Sequence, residues 1–434
     1  MILNLRNFYK ATIPSKTLTI EKEEDRKFYI DFSSVRGGQI IEKLRNKISI
    51  LSPDEPTCEL FTGHIGCGKS TELLRLKADL ERDGFHVVYF ESDQDLEMGD
   101  VDIGDILLAI ARRVSESLEG EGISLKPGYF QKIMSEITDI LQTPIEISDV
   151  SCSIGIATIT AQTKSSPKLR DKLRSYLEPR TDGILDAINQ QLLEPAIVKL
   201  KQQGKQGLVV IVDNLDRIDP SPKPWGRPQP EYLFADRGAQ LRELKCHVVY
   251  TIPLALRFSN DYGMVAQRFM VDPKVLSMIP TKHSDGSKHQ EGITLLRQMV
   301  LARAFPELAP EERDERVKDL FDNNETLNRL CQASGGHVRN LLRILNEWIT
   351  EEAQLPLSRQ VLERLIKAQC NRLTLAITDD EWSLLRQVAK SKKVSGEAGY
   401  QTLIRSMFVY EYYDHEQPWF GISPILAEAK ELEQ

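Results

Sequence analysis

GHIGCGKS, Gly63 to Ser70, sits between a short apolar run, CELFTG (Cys58 to Gly63), and a segment with helical apolar spacing, KSTELLRLKADLER (Lys69 to Arg82). It satisfies the spacing GxxxxGK[ST] at Gly63, Gly68, Lys69 and Ser70. Each residue type has a physical reason. Glycines let backbone N–H groups turn inward around anionic oxygens. His64, Ile65, Gly66 and Cys67 make up the turn, and Thr71 opens the helix behind it. That helix aims its positive N-terminus at the anion. Lys69 supplies a cation for β- and γ-phosphate oxygens. Ser70 supplies a hydroxyl for Mg²⁺, a hard ion that prefers oxygen. The stretch therefore predicts a bound nucleoside triphosphate with Mg²⁺, with ATP expected. Cys67 is either a tolerated small side chain or, at a helix N-terminus, a redox-sensitive thiol.

Working outward, strand and helix patterns alternate. HVVYFESD (86–93) reads as a strand, and residues 102–117 as an amphipathic helix. LVVIVDN (208–214), HVVYTIP (247–253) and VLSMIP (275–280) read as further buried strands. Repeated alternation of this kind predicts an α/β fold: a parallel sheet covered by helices. Residues 119–167 interrupt it as an insertion. Within them IEISDVSCSIGIATIT has period-two apolar positions and predicts a strand or hairpin. PSPKPWGRPQP (220–230) is too proline-rich for helix or central sheet. From about residue 289 the chain reads as helical. After two more helical stretches, RSMFVYEYYDHEQPWFGISP predicts two aromatic-rich strands, so helices followed by a hairpin suggest a winged helix. The expected organisation is an N-terminal arm (1–27), a core (28–285), a helical lid (286–370) and a winged-helix-like domain (371–434). Residues 1–27 read as an arm or an exposed helix, and no chemistry is assigned to them.

LVVIVDNLDRID ends a buried strand on Asp213. A carboxylate at that edge can reach the Mg²⁺ shell beside the glycine loop, so Ser70 and Asp213 are the candidate metal ligands. The loop together with the D-x-L-D-R run (Asp213, Leu215, Asp216, Arg217) resembles AAA+/STAND-type P-loop ATPases, including the KAP branch and the origin-recognition-like proteins. The resemblance covers about residues 28–360, and the winged helix extends it.

That resemblance implies several roles. Many such ATPases place Glu directly after the strand-ending Asp, where it acts on the attacking water. Here that position is Asn214, which orients water but is no base. Either hydrolysis is slow or Asp216 takes the work. Tyr29, Ile30 and the turn Val35-Arg36-Gly37 occupy the place of the adenine pocket, or simply pack the domain edge. Thr251 stands where the family senses the γ-phosphate. SGGHVRNLL (334–342) resembles the lid's sensor 2: Gly335-Gly336 permits a sharp turn, and Arg339 in the following helix reaches the γ-phosphate. His337 is read as structural. Arg170, Arg174, Arg180 and Arg237 are open candidates for an arginine finger in trans, though most such arginines lie on solvated helix faces.

Composition bounds the rest. A net charge of −8 gives no global nucleic-acid footprint. Lys223, Trp225 and Arg227 in the proline-rich loop are either a nucleic-acid or subunit contact or part of a spacer. The acidic wing argues against phosphate contact and favours a protein-contact or autoinhibitory role. The opening MILNLRNFYKATIPSK does not read as a signal peptide, and no run approaches the roughly 20 apolar residues of a membrane span. Six scattered cysteines without a CxxC pair fit reduced thiols in a cytosol. The expectation is a cytoplasmic ATPase switch with catalytic or sensing residues Lys69, Asp213, Asn214, Asp216 and Arg339. It would assemble as a homo-oligomer or act on an effector protein in trans, since no nuclease, protease or TIR domain is recognisable. Bacterial signalling or antiphage defence is the setting the resemblance implies. A DNA-associated ATPase and a non-hydrolysing ATP-binding scaffold are the alternatives; DNA is the less favoured partner.

Overall fold

The computed structural model describes residues 4–123, 136–137, 152–414 and 417–432. Five parallel strands form the central sheet: β1 (Cys58–Gly63), β2 (His86–Glu91), β3 (Leu208–Asp213), β4 (His247–Thr251) and β5 (Lys274–Leu276). Their order is β2-β3-β4-β1-β5. The α/β expectation, a parallel sheet covered by helices, is met. Alternation within each strand explains the two covered faces. Leu60, Val210, Val212, Val248 and Tyr250 enter one core, whereas Phe61, Val209, Ile211 and Val249 enter the other.

Register sets the functional edge. Glu91 pairs with Asp213, Val212 with Tyr250, and Phe61 with Thr251. The carboxyl ends of β1, β3 and β4 therefore open on one crevice, and β1 runs straight into the glycine loop. The helix behind that loop, Lys69–Arg82, buries Leu73, Leu76 and Leu80 on the second face. The fifth strand is shorter than expected. It ends at Leu276, and beyond it Ser277 and Met278 bond instead to Arg36 and the C-terminal hairpin.

The insertion differs from its reading. Residues 144–151 lie outside the described residues, but Cys152–Ser165 is a helix rather than a strand or hairpin. Its Ile and Thr residues favour strands intrinsically. Tertiary packing overrides that preference: Ile159 joins the core formed around helix Ile103–Gly120, and the Thr163 hydroxyl bonds the carbonyl of Ile159 one turn back.

Beyond the sheet, the lid contains helices Gln290–Ala304, Asn324–Ser334 and Val338–Glu352. Helices Arg359–Thr374, Asp379–Ser391 and Ala398–Arg405 follow, then an antiparallel pair, β6 (Val409–Asp414) and β7 (Gln417–Ile422). Helices then hairpin is the expected order. One apolar core runs through Leu296, Leu341, Trp348, Leu365, Trp382, Leu403 and Phe420. Lid and C-terminal segment are thus welded together.

The N-terminal arm is not the free, exposed segment its charge suggested. Phe8 on helix Leu5–Ala11 is buried in the lid core, and Asn346 donates to the Tyr9 carbonyl. Among the described residues no helix is long and apolar enough to cross a membrane.

Candidate functional site

The crevice at the carboxyl edge is a cleft between sheet, lid and arm, about 890 Å³ including the space at its open mouth. Ile65, Gly66, Cys67, Gly68, Lys69, Ser70 and Thr71 form its floor. Gly66 and Gly68 have φ of +84° and +109°, left-handed values that favour glycine. Lys69 is buried. Its Nζ lies 2.9 Å from Asp216 and donates to the Gly63 and His64 carbonyls. Burial is the largest single influence and lowers the ammonium pKa, but the Asp216 charge and hydrogen bond, with Cys67 and Asp213, together outweigh it and hold the pKa above the ordinary lysine value.

Asp213 is fully buried, with the Ser70 side chain beside it. Tyr89 donates to its Oδ2 at 2.8 Å, and the Asn214 N–H donates to Oδ1 at 2.7 Å. Burial and then the Asp216 charge push its pKa up. A hydroxyl beside a carboxylate, both oxygen donors, fits Mg²⁺. A cation there would offset the repulsion between the two aspartates.

Asn214 has φ of +66°, the left-handed region that Asn tolerates better than Glu. The local backbone thus suits Asn at this position. Its Nδ2 donates to Asp93 at 2.9 Å, and Arg217 pairs with the other Asp93 oxygen at 3.0 Å. Asp216 lines the cleft, as does Glu72, and the Asp216 Oδ1 is buried with no partner. Thr251 does not line the cleft. Its hydroxyl accepts from the Leu215 N–H at 3.0 Å and bonds the Val212 carbonyl. The geometry makes it a strut for the Asn214 turn instead of a direct contact for phosphate.

The lid meets the loop directly. The Arg339 N–H donates to the Gly66 carbonyl at 3.1 Å, and His337 Nε2 bonds the Ile65 carbonyl at 2.8 Å. Gly336, at φ +74°, lies so close to Ile279 that an added Cβ would fall 1.7 Å from its carbonyl oxygen. The Arg339 side chain lines the cleft, and burial followed by the Arg217 charge lowers its pKa. Arg36, buried, ties the Ser277 and Cys67 carbonyls together. Tyr29 and Ile30 line the cleft as expected, joined by Phe28, Phe32, Met299 and Leu342.

Two features were invisible in the sequence. Pro14 to Leu18 of the arm form part of the cleft wall. The C-terminal hairpin also packs behind the glycine loop. The Glu411 N–H donates to His64 Nε2 at 2.8 Å, and the Tyr412 hydroxyl donates to the Gly335 carbonyl. Tyr410 lies between His64 and His337, at ring-centroid distances of 5.7 and 5.9 Å. Glu411 is not a solvent-facing wing acid. It is buried and paired with Arg257.

The arginine-finger candidates are spent internally. Arg170 and Arg174 pair with Asp100, Arg180 stacks on Tyr176, and Arg237 bonds Gln240 and Tyr232. In the proline-rich loop, Lys223 is buried on Asp100, and Arg227 pairs with Asp236 and Asp261. Trp225 alone of the three is open, 62% exposed.

No family model matches the chain, and no curated protein matches it. Among solved structures it is similar to the ORC2 protein of Aeropyrum pernix, at 12% identity over 91% of this chain and 92% of that one, with a TM-score of 0.36. It is similar to a Walker-type ATPase of Pyrococcus abyssi at 12% identity, over 98% and 100%, with a TM-score of 0.42. The Cdc6p protein of Pyrobaculum aerophilum gives 10% identity, 94% and 97% coverage, and a TM-score of 0.38. With TM-scores this low, the fold rests on the strand order and register of the chain itself.

Proposed function

We propose that this chain is an ATP- and Mg²⁺-binding molecular switch of AAA+/STAND type that hydrolyses its nucleotide slowly and acts on a separate effector or a second copy of itself. The observation that carries this reading is the hydrogen bond from the Arg339 N–H to the Gly66 carbonyl, which ties a cation-bearing lid helix to the glycine loop. Lys16, Arg36, Lys69, Arg217, Arg303 and Arg339 line the cleft against Glu72 and Asp216, a cation excess suited to a polyphosphate.

Each residue then has a task. The loop N–H groups and Lys69 hold the β- and γ-phosphates. Ser70 and Asp213 hold Mg²⁺, which supplies positive charge to phosphate oxygens. Arg339 reaches for the γ-phosphate, so its loss on hydrolysis frees the lid. Asp216, through its unpartnered Oδ1, orients the attacking water and accepts its proton. Its other oxygen, Oδ2, is held by the Lys69 ammonium at 2.9 Å, so one oxygen alone is left for the water. Because the C-terminal hairpin bonds His64 and Gly335, movement of loop and lid is passed to it.

Measuring turnover of wild type and Asp216→Ala, with and without DNA, tests this. Slow wild-type turnover, lost in the variant and indifferent to DNA, supports the switch. No turnover in wild type leaves only the scaffold alternative. Strong DNA stimulation favours the DNA-associated alternative, which the proline-rich loop does not support, since its cations are paired internally.

A further inference from the structure

Arg303 is the cleft cation that is buried with an unbonded side-chain nitrogen. It sits in the last turn of the first lid helix, Gln290–Ala304, and only 6% of it is exposed. Lys69 is neutralised by Asp216, Arg217 by Asp93, and Lys16 by Asp25. Arg303 has no carboxylate partner among the described residues. Its Nη1 donates to the Met299 carbonyl one turn back, and its Nε is buried with nothing to bond. Burial alone moves its pKa down to about 10, with no neighbouring charge acting on it. A buried guanidinium with an unmet donor is destabilising, so its presence calls for a ligand that accepts a hydrogen bond from it.

Its position says which part of a ligand that is. Lys69 pairs with Asp216, and the Arg339 N–H meets Gly66, at the glycine loop. Arg303 stands in another part of the cleft wall: its Nη1 bonds the Met299 carbonyl, and Glu307, four residues beyond it, pairs with Lys27 at the start of the Phe28–Tyr29–Ile30 stretch. There the wall is apolar and aromatic, with Tyr29, Ile30, Met299 and Leu342. A guanidinium only donates hydrogen bonds, so its partner must be an acceptor. A flat, apolar-faced group with acceptors on its edge is a nucleobase.

We infer that Arg303 is the base-reading residue of the cleft, donating to a ring acceptor of a purine held between Tyr29–Ile30 and Met299–Leu342. This rests on the nucleotide-binding reading and adds a specificity determinant to it. With a ligand bound, the unpaired Nε or the terminal nitrogens gain an acceptor, so affinity is drawn from relief of an existing mismatch.

The test compares Mg-ATP with Mg-tripolyphosphate, which has the phosphates without the base, by calorimetry on the full chain. Arg303→Met is expected to weaken ATP at least tenfold and to leave tripolyphosphate within twofold of wild type. ATP affinity within twofold of wild type overturns the inference. So does an equal loss for both ligands, which would place Arg303 at the phosphates. Should Arg303→Met fail to melt cooperatively, Arg303→Lys is judged by the same two ligands and the same criteria. Wild type that binds neither ligand refutes the nucleotide reading itself, a different outcome from either of these.

Discussion

The backbone N–H of Arg339 donates to the carbonyl of Gly66 across 3.1 Å, joining the first turn of a lid helix to the middle of the glycine loop. Loop and lid cannot rearrange independently. Whatever reshapes the loop moves Arg339, the residue proposed to sense the γ-phosphate.

Gly66→Ala tests that joint. At φ +84° an added Cβ would come within 2.9 Å of both Arg339 Cβ and His337 Cε1. Strain and displacement together should destabilise the chain by about 1–2 kcal/mol. ATP affinity should fall tenfold or more, which thermal melting and calorimetry can read separately.

Arg339→Ala should weaken ATP more than ADP. A charge-assisted hydrogen bond to phosphate is worth about 1.5–3 kcal/mol, a factor of roughly 10 to 100. Equal weakening of both nucleotides would show that Arg339 does not distinguish the γ-phosphate. The folded midpoint should scarcely change, since Arg339 makes no ion pair among the described residues.

Asp213→Asn should abolish the Mg²⁺ dependence of ATP binding and leave measurable Mg²⁺-free binding. Relieving a buried carboxylate whose pKa burial and Asp216 push up should also hold or raise the melting temperature. A variant that retained full Mg²⁺ dependence would move the metal elsewhere.

The sequence showed the sheet and the phosphate floor because both depend on local chemistry. Alternating Val and Ile mark the faces of β3, and GxxxxGK[ST] is contiguous. The insertion helix was misread because Ile154, Ile156 and Thr158 carry strand propensity that only packing overrides. The arm's part in the cleft was hidden because Phe8 meets its lid core hundreds of residues away. Arg303 was hidden for another reason. In LLRQMVLARAF it looks like any helix arginine, and only burial without a partner marks it. Thr251 shows the reverse case: the right position in a strand did not settle which way its hydroxyl bonds.

Stability should fall in mild acid. Burial, with smaller help from Arg339 and Arg343, holds the His337 imidazole down from 6.5 to about 4, although its bond to the Ile65 carbonyl acts the other way. The unfolded chain therefore takes up this proton first. The contribution of His337 is complete above pH 6.5 and is lost as pH falls to about 4, a change of ~3 kcal/mol. His337→Gln, which keeps a donor for Ile65, should flatten that part of a denaturation-versus-pH curve.

Binding of Mg-ATP to wild type and Lys69→Ala, measured side by side by calorimetry, bears most directly on the phosphate site. Lys69 is buried with its ammonium on the loop carbonyls and Asp216, at the centre of the proposed phosphate contacts. Wild type should bind, and Lys69→Ala should lose affinity by a factor of roughly 30 or more while still melting cooperatively. Equal affinity in the two proteins would contradict nucleotide binding at Gly63 to Ser70.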